Sequence, residues 1–192
     1  MSTSAYSDDL AFAHRLADIA DAITLDRYQA QDLVISTKPD NTPVTDADRA
    51  TEQAITAAIA KERPQDGVVG EEFGNSKESS QRYWVIDPID GTKNFMRGVP
   101  TWATLIGLME RDADGVEKVV VGVVSAPALF RRWYAFEGGG AFVIVNKEVP
   151  KKISVSAVSS IEDASISHSD FIGWGDRLES FNNLMKLSLI HI

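Results

Sequence analysis

From residue 68 to residue 145, short apolar runs follow one another with turn residues between them and little room for helices. They are Val68-Val69 and residues 83–86, 102–109, 119–125, 132–136 and 141–145. Runs of this length, rich in valine, isoleucine and aromatic residues, read as strands. Asp114-Gly115 separates two of them and suits a hairpin connection. Strands so closely spaced predict a largely antiparallel or mixed sheet, which needs a layer to cover it. Two earlier segments supply that layer. Phe12, Leu16, Ile19 and Ile23 form one apolar stripe at helical spacing, with Asp8, Asp9 and Asp18 reading as solvent-facing. Thr45 then opens a second helix, DADRATEQAITAAIAKE, in which Thr45 and Asp48 fit a capping box and Arg63-Pro64 fits the end. Pro39, Pro43 and Asp40-Asn41 break the chain between the two helices. Further on, residues 159–166 read as a loop entering a strand. Residues 177–186 read as the opening of a helix with Leu178, Phe181 and Leu184 on one side. The expectation is an α+β fold without internal repeats, low-complexity stretches or a flexible linker.

With 192 residues, 44% of them apolar, the chain has material for one sizeable core or two small domains. The formal net charge of −9 argues against a protein that binds nucleic-acid backbones. It does not argue against a small phosphorylated ligand, because a metal ion can supply local positive charge. The chain has no cysteine, which excludes disulfides, zinc–thiolate sites and a cysteine nucleophile. No apolar run approaches the ~18 residues of a membrane span, and MSTSAYSDDL does not resemble a secretory signal. The expectation is a soluble, cytoplasmic protein with no nucleic-acid or membrane partner.

Three acidic segments stand out. Asp48 lies in Val44-Thr45-Asp46-Ala47-Asp48, Gly70-Glu71-Glu72 follows the first valine run, and Asp87-Pro88-Ile89-Asp90-Gly91-Thr92 follows residues 83–86. Each alone has an ordinary reading: a helix cap, a solvated surface pair, a turn. Carboxylates gathered at strand ends are costly unless something positive binds them. Oxygen ligands without any cysteine fit Mg²⁺. In the third segment, Pro88 is read as fixing a turn from which Asp87 and Asp90 converge, with the Ile89 carbonyl as a further oxygen ligand. Gly91 permits a close backbone approach, and a helix starting near Thr92 would direct free N–H groups at a phosphate.

TKPDNTPVTDAD, GEEFG and WVIDPIDGTKNF, in that order, resemble the inositol monophosphatase family of metal-dependent phosphatases. DGTKNF, RGVPTWATLIGL, SAPALFRRWYAFEGGGAF and ISVSAVSSIEDASIS are similar to the actinobacterial histidinol-phosphatase branch of that family. The resemblance implies a layered αβαβα sugar-phosphatase-like fold. It also implies Mg²⁺ as cofactor and hydrolysis of a small phosphorylated metabolite. The substrate it points to is L-histidinol phosphate, in histidine biosynthesis; inositol phosphate, a sugar bisphosphate or a nucleotide 3′-phosphate are alternatives within the same chemistry. By the same resemblance Glu71, Asp87, the Ile89 backbone oxygen and Asp90 hold metal. Glu71, Ile89, Asp90, Gly91 and Thr92 line the phosphate site, and Glu71, Thr92 and Asp48 orient and deprotonate the attacking water. Lys38 falls where the family carries a lysine near the metals, where its charge would temper the acidic cluster; a salt bridge on a loop is the alternative. His14, His168 and His191 receive no role. A homodimer is implied for the full-length protein.

The pattern departs from the family in one respect. The family has a further metal-binding aspartate in a Trp-Asp pair later in the chain, whereas Trp84, Trp102, Trp133 and Trp174 precede Val, Ala, Tyr and Gly here. The expectation is that residues 1–186 form the N-terminal α+β portion of the family's domain, with the C-terminal α/β portion missing. Residues 187–192, LSLIHI, are then expected to be a non-native tail, since a common transposase-type sequencing adaptor encodes them. Such a chain would hold its second metal poorly and expose apolar surface. An inactive remnant or a non-catalytic metal-binding module is the alternative from a different functional class.

Overall fold

A computed structural model describes residues 6–76, 80–160, 163–165 and 179. The chain divides into one unit over Met1–Ile153 and a second over Ser154–Ile192. In the second unit, the described residues include a Ser160 hydroxyl donating to Asp163 at 2.9 Å. The strand expected to end at 166, the helix expected over 177–186, His168, Trp174, His191 and the 187–192 tail lie outside the described residues.

In the first unit, helix α1 spans Ser7–Arg27 and α2 spans Asp46–Glu62. The capping box is formed: the Thr45 N–H donates to Asp48 Oδ2 at 2.8 Å, and the Thr45 hydroxyl oxygen accepts from the Asp48 N–H at 3.4 Å. The helix stops at Arg63, ahead of Pro64. Between the helices, β1 (Ile35–Thr37) and β2 (Pro43–Thr45) form a two-stranded antiparallel hairpin. Its turn carries Asn41 at φ 68° and an Asp40 carboxylate accepting from the Thr42 N–H.

The face that α1 buries differs from the expected stripe. Phe12, Ala13, Leu16, Ala17, Ala20 and Thr24 are buried, whereas Ile19 and Ile23 are half-buried at the flank. Alanines let the helix lie close to its neighbours, so its contact face is centred on small side chains that a stripe of large residues does not reveal. Asp9 is also buried rather than solvent-facing. Its carboxylate lies 2.6 Å from Arg82 and 3.7 Å from Arg63, and this pairing offsets the cost of burying the charge.

The sheet has eight strands: β3 (Gly67–Gly70), β4 (Asn75–Ser76), β5 (Arg82–Asp90), β6 (Ala103–Arg111), β7 (Glu117–Ala126), β8 (Arg131–Phe136), β9 (Gly140–Val145) and β10 (Lys151–Ile153). Their order across the sheet is β10-β9-β8-β7-β6-β5-β3-β4, and only the β3–β5 pair is parallel. This is the mixed sheet expected from the strand spacing. Trp84 and Leu108 of the sheet and Phe12, Leu16, Ile55 and Ile59 of the helices meet in the main core. Trp84 is wholly buried, packs edge-on against Phe12 at 5.4 Å, and donates its indole N–H to Asp66 at 2.9 Å. A short helix, α3 (Thr92–Met96), leaves the end of β5 and rests on a second cluster of Ala47, Ile89, Phe95 and Trp102.

His14 on α1 packs edge-on against Tyr134 at 4.7 Å. Burial lowers its pKa below the usual 6.5, Arg132 adds to the effect, and Asp18 partly opposes it. Folding therefore favours the neutral imidazole. The stability this gives is present above pH 6.5 and is lost as pH falls through the lowered folded-state value. Chemical denaturation in a pH series should show stability declining on that acid side, and His14→Gln should flatten this part of the decline.

Candidate active site at the ends of the parallel strands

The parallel register builds the site. Val69 pairs with Val85 and Gly70 with Ile86, so the next residues of the two strands, Glu71 and Asp87, leave the ladder side by side. Open crevices at the carboxyl ends of parallel strands are where α/β sheets place ligands.

Asp87 to Asp90 do not form the expected turn. They remain in β5, and the strand carries an irregularity: Asp87 pairs with Leu105 but Asp90 with Ala103, three residues against two. In a regular strand residues three apart point to opposite faces; one extra residue restores the phase and lets both carboxylates share a face. Pro88 fits because a bulge needs no ladder donor there. The Thr104 hydroxyl donates to the Pro88 carbonyl at 2.8 Å and holds the bulge against β6. Gly91 follows with φ 88°, a left-handed conformation that favours glycine, and an added Cβ would stand 3.1 Å from the Thr101 carbonyl. The Gly91 carbonyl accepts from the N–H groups of Asn94 and Phe95 and starts α3 at Thr92, where a helix was expected.

Asp87 is the least comfortable group here. Burial raises its pKa to about 8, and the neighbouring Glu71 and Asp90 carboxylates add to the rise. Its Oδ1 is buried with no hydrogen-bond partner among the described residues. Lys38 Nζ stands 2.7 Å from Glu71 Oε1 and 2.7 Å from Glu72 Oε1. Burial lowers the Lys38 pKa, but hydrogen bonds to the two glutamates outweigh this and raise it overall. Lys38 thus forms a salt bridge to both glutamates of this segment. The Thr92 hydroxyl has two acceptors, the Ile89 carbonyl at 3.1 Å and Asp48 Oδ1 at 3.3 Å. Asp48 is thus both the cap of α2 and a neighbour of Thr92. Burial raises its pKa, while the hydrogen bonds from Thr45 oppose the rise.

Among the described residues, no group of three or more acidic, histidine or cysteine side chains stands ready as a metal cage. The donor set nevertheless suits a hard divalent cation. It consists of oxygens only, and its central member has a buried, unpartnered oxygen between two further carboxylates.

Glu52 and Glu72 were missed by sequence reasoning. Glu52 is buried on α2 and accepts from the N–H groups of Glu72 at 2.7 Å and Phe73 at 2.9 Å. The Glu72 side chain is only 5% exposed and is held by Lys38. A signal for the first exists: Asp48 and Glu52 are four apart, on one face of a helix.

The matches to known proteins follow the geometry. The chain is 52% identical over 183 residues to the histidinol-phosphatase of Streptomyces coelicolor, covering 94% of this chain and 68% of that protein. It is 56% identical over 167 residues to that of Mycobacterium tuberculosis, covering 87% and 62%. The chain thus spans about two thirds of the length of these relatives. An inositol monophosphatase from Zymomonas mobilis superposes with a TM-score of 0.78 at 34% identity, over 97% of this chain and 68% of that one. These relatives are phosphoric monoester hydrolases, and the fold is theirs. The model of the inositol monophosphatase family matches residues 6–182, and the chain belongs to that family.

Proposed function

We propose that this site hydrolyses phosphate monoesters with Mg²⁺ and that its substrate is L-histidinol phosphate. The observation that carries the reading is Asp87: a buried, unpartnered carboxylate oxygen flanked by Glu71 and Asp90 at the ends of two parallel strands. The likeness to the two histidinol-phosphatases supports the choice of substrate.

Glu71, Asp87, Asp90 and the Ile89 carbonyl would hold the cation. When bound, Mg²⁺ supplies charge neutralisation for the phosphoryl group and lowers the pKa of a coordinated water. Thr92 has two ways to direct its single hydroxyl hydrogen. Donation to Asp48 leaves the Ile89 carbonyl free to act as a ligand and turns the Thr92 oxygen toward a water. Glu71, at the edge of the cluster, accepts the proton of that water. Gly91 lets the backbone approach the phosphate without a side chain in the way. Lys38 draws charge from Glu71 and so limits the repulsion among the acids.

The test is phosphate release from L-histidinol phosphate, inositol 1-phosphate, a sugar bisphosphate and a nucleotide 3′-phosphate, together with calorimetric Mg²⁺ titration. The expected result is Mg²⁺ uptake and release that EDTA abolishes, with kcat/KM for L-histidinol phosphate at least ~10-fold above the others, about 1.4 kcal/mol of discrimination. Equal release from all four substrates would remove the substrate assignment. Mg²⁺ uptake without release from any of them would favour the non-catalytic metal-binding module instead.

A further inference from the structure

We propose that Glu52 is the positioning residue for Glu71, a role that rests on reading Glu71 as a Mg²⁺ ligand. The β3–β5 ladder fixes the chain as far as Gly70, where Gly70 pairs with Ile86. Beyond that point the ladder has delivered Glu71 beside Asp87 but no longer holds it; its side chain is 43% exposed, and apart from the Lys38 ion pair neither the sheet nor the core fixes its orientation. Glu52 holds the chain on both sides of it. On one side, an added Cβ on Gly70 would fall 1.9 Å from Glu52 Oε1, so the carboxylate presses against the bare Cα. On the other, the two carboxylate oxygens separately take the N–H groups of Glu72 and Phe73. The Gly70 N–H donates to the Gly74 carbonyl at 3.1 Å and closes the loop over this anchor.

The choice of residue is costly for stability alone. Glu52 is 1% exposed, and Glu71 and Glu72 oppose its charge. A buried carboxylate beside two others persists where its two strong acceptors meet a need that a neutral side chain cannot fill. Here the need is to hold two successive N–H groups so that the preceding residue faces Asp87. Both Glu52 oxygens are taken by backbone N–H groups, so it acts through Glu71.

Two variants attack the same contact from opposite sides. Glu52→Gln keeps the size but sets an NH₂ group against one of the two N–H donors. Gly70→Ala keeps Glu52 but pushes its carboxylate off both donors. Asp66→Ala is the structural control: it removes the acceptor of the Trp84 indole at the far end of β3. The readouts are Mg²⁺ affinity by calorimetric titration, the unfolding temperature, and amide hydrogen exchange at Glu72 and Phe73. Loss of a group that orients a ligand typically weakens metal binding by about 10–100-fold. We expect at least about a tenfold loss of affinity in both site variants, with faster exchange at the two amides. Asp66→Ala should bind Mg²⁺ as the unaltered chain does, although it lowers the unfolding temperature. Should Glu52→Gln fail to fold, Gly70→Ala decides alone. Unaltered Mg²⁺ affinity in a folded site variant would overturn the positioning role while leaving the hydrolase reading intact. An unaltered chain that takes up no Mg²⁺ would overturn the hydrolase reading itself, and the role of Glu52 with it.

Discussion

Asp87→Asn should abolish Mg²⁺ uptake and lower phosphate release by at least ~10³-fold, about 4 kcal/mol of transition-state stabilisation. The substitution is isosteric and leaves the bulge, the Thr104 contact and the β3–β5 register untouched. Only the charge between Glu71 and Asp90 is removed. The same change should raise the stability of the cation-free protein at neutral and mildly alkaline pH. In the fold the Asp87 carboxyl titrates near 8, against an ordinary 3.8. A folded-state pKa raised above the unfolded value gives stability that is complete below about 3.8 and is lost as pH rises toward about 8. Cation-free wild-type protein should therefore unfold at lower temperature as pH climbs through that window, and Asp87→Asn should weaken the dependence. Saturating Mg²⁺ should stabilise the wild type, because a ligand that binds only the folded state adds its binding energy to folding. Thermal unfolding with EDTA and with Mg²⁺, across pH, reads all of this. A variant that lost activity and stability together would mark Asp87 as a structural residue.

The second large effect falls on folding. Trp84→Ala should cost about 3–5 kcal/mol, a large part of the ~5–15 kcal/mol that a domain has in total. Three losses combine: the buried ring of β5, its edge-on contact with Phe12 of α1, and the hydrogen bond to Asp66. Trp84→Phe separates them. It keeps an aromatic ring against Phe12 and gives up the indole N–H, so it should cost about 1–2 kcal/mol, mainly the lost hydrogen bond and a small void. Urea unfolding measures both. If the two variants were equally destabilised, the hydrogen bond rather than the ring would be the dominant contribution.

Features set by neighbours in sequence were legible. The Thr45 capping box, the stop at Pro64, the Asp114-Gly115 hairpin and the helix start after Gly91 each depend on three or four consecutive residues. So did the three acidic segments and their order along the chain, which sufficed for the family resemblance. Features set by partners far along the chain were not. Asp9 reads as a surface residue until Arg63 and Arg82 are brought to it. Pro88 reads as a turn because the bulge exists only relative to the register of β6. Ile19 and Ile23 read as core because the alanines that complete the contact face of α1 beside Phe12 and Leu16 look neutral in a hydrophobic pattern. Glu52 and Glu72 were hidden for the same reason. One needs the loop after β3 folded back over α2, and the other needs Lys38 delivered by the β1–β2 hairpin.

The adjacency of Glu71 and Asp87 is inherited from the backbone ladder rather than from any attraction between the side chains. This divides the chain into lengths that can drift and lengths that cannot. The hairpin turn over residues 112–116 can gain or lose residues without parting the two acids, since each doubling of a loop costs only about 0.6 kcal/mol. A single residue gained or lost within Gly67–Gly70 is different. It would turn Glu71 to the opposite side of the sheet and leave Asp87 facing a gap.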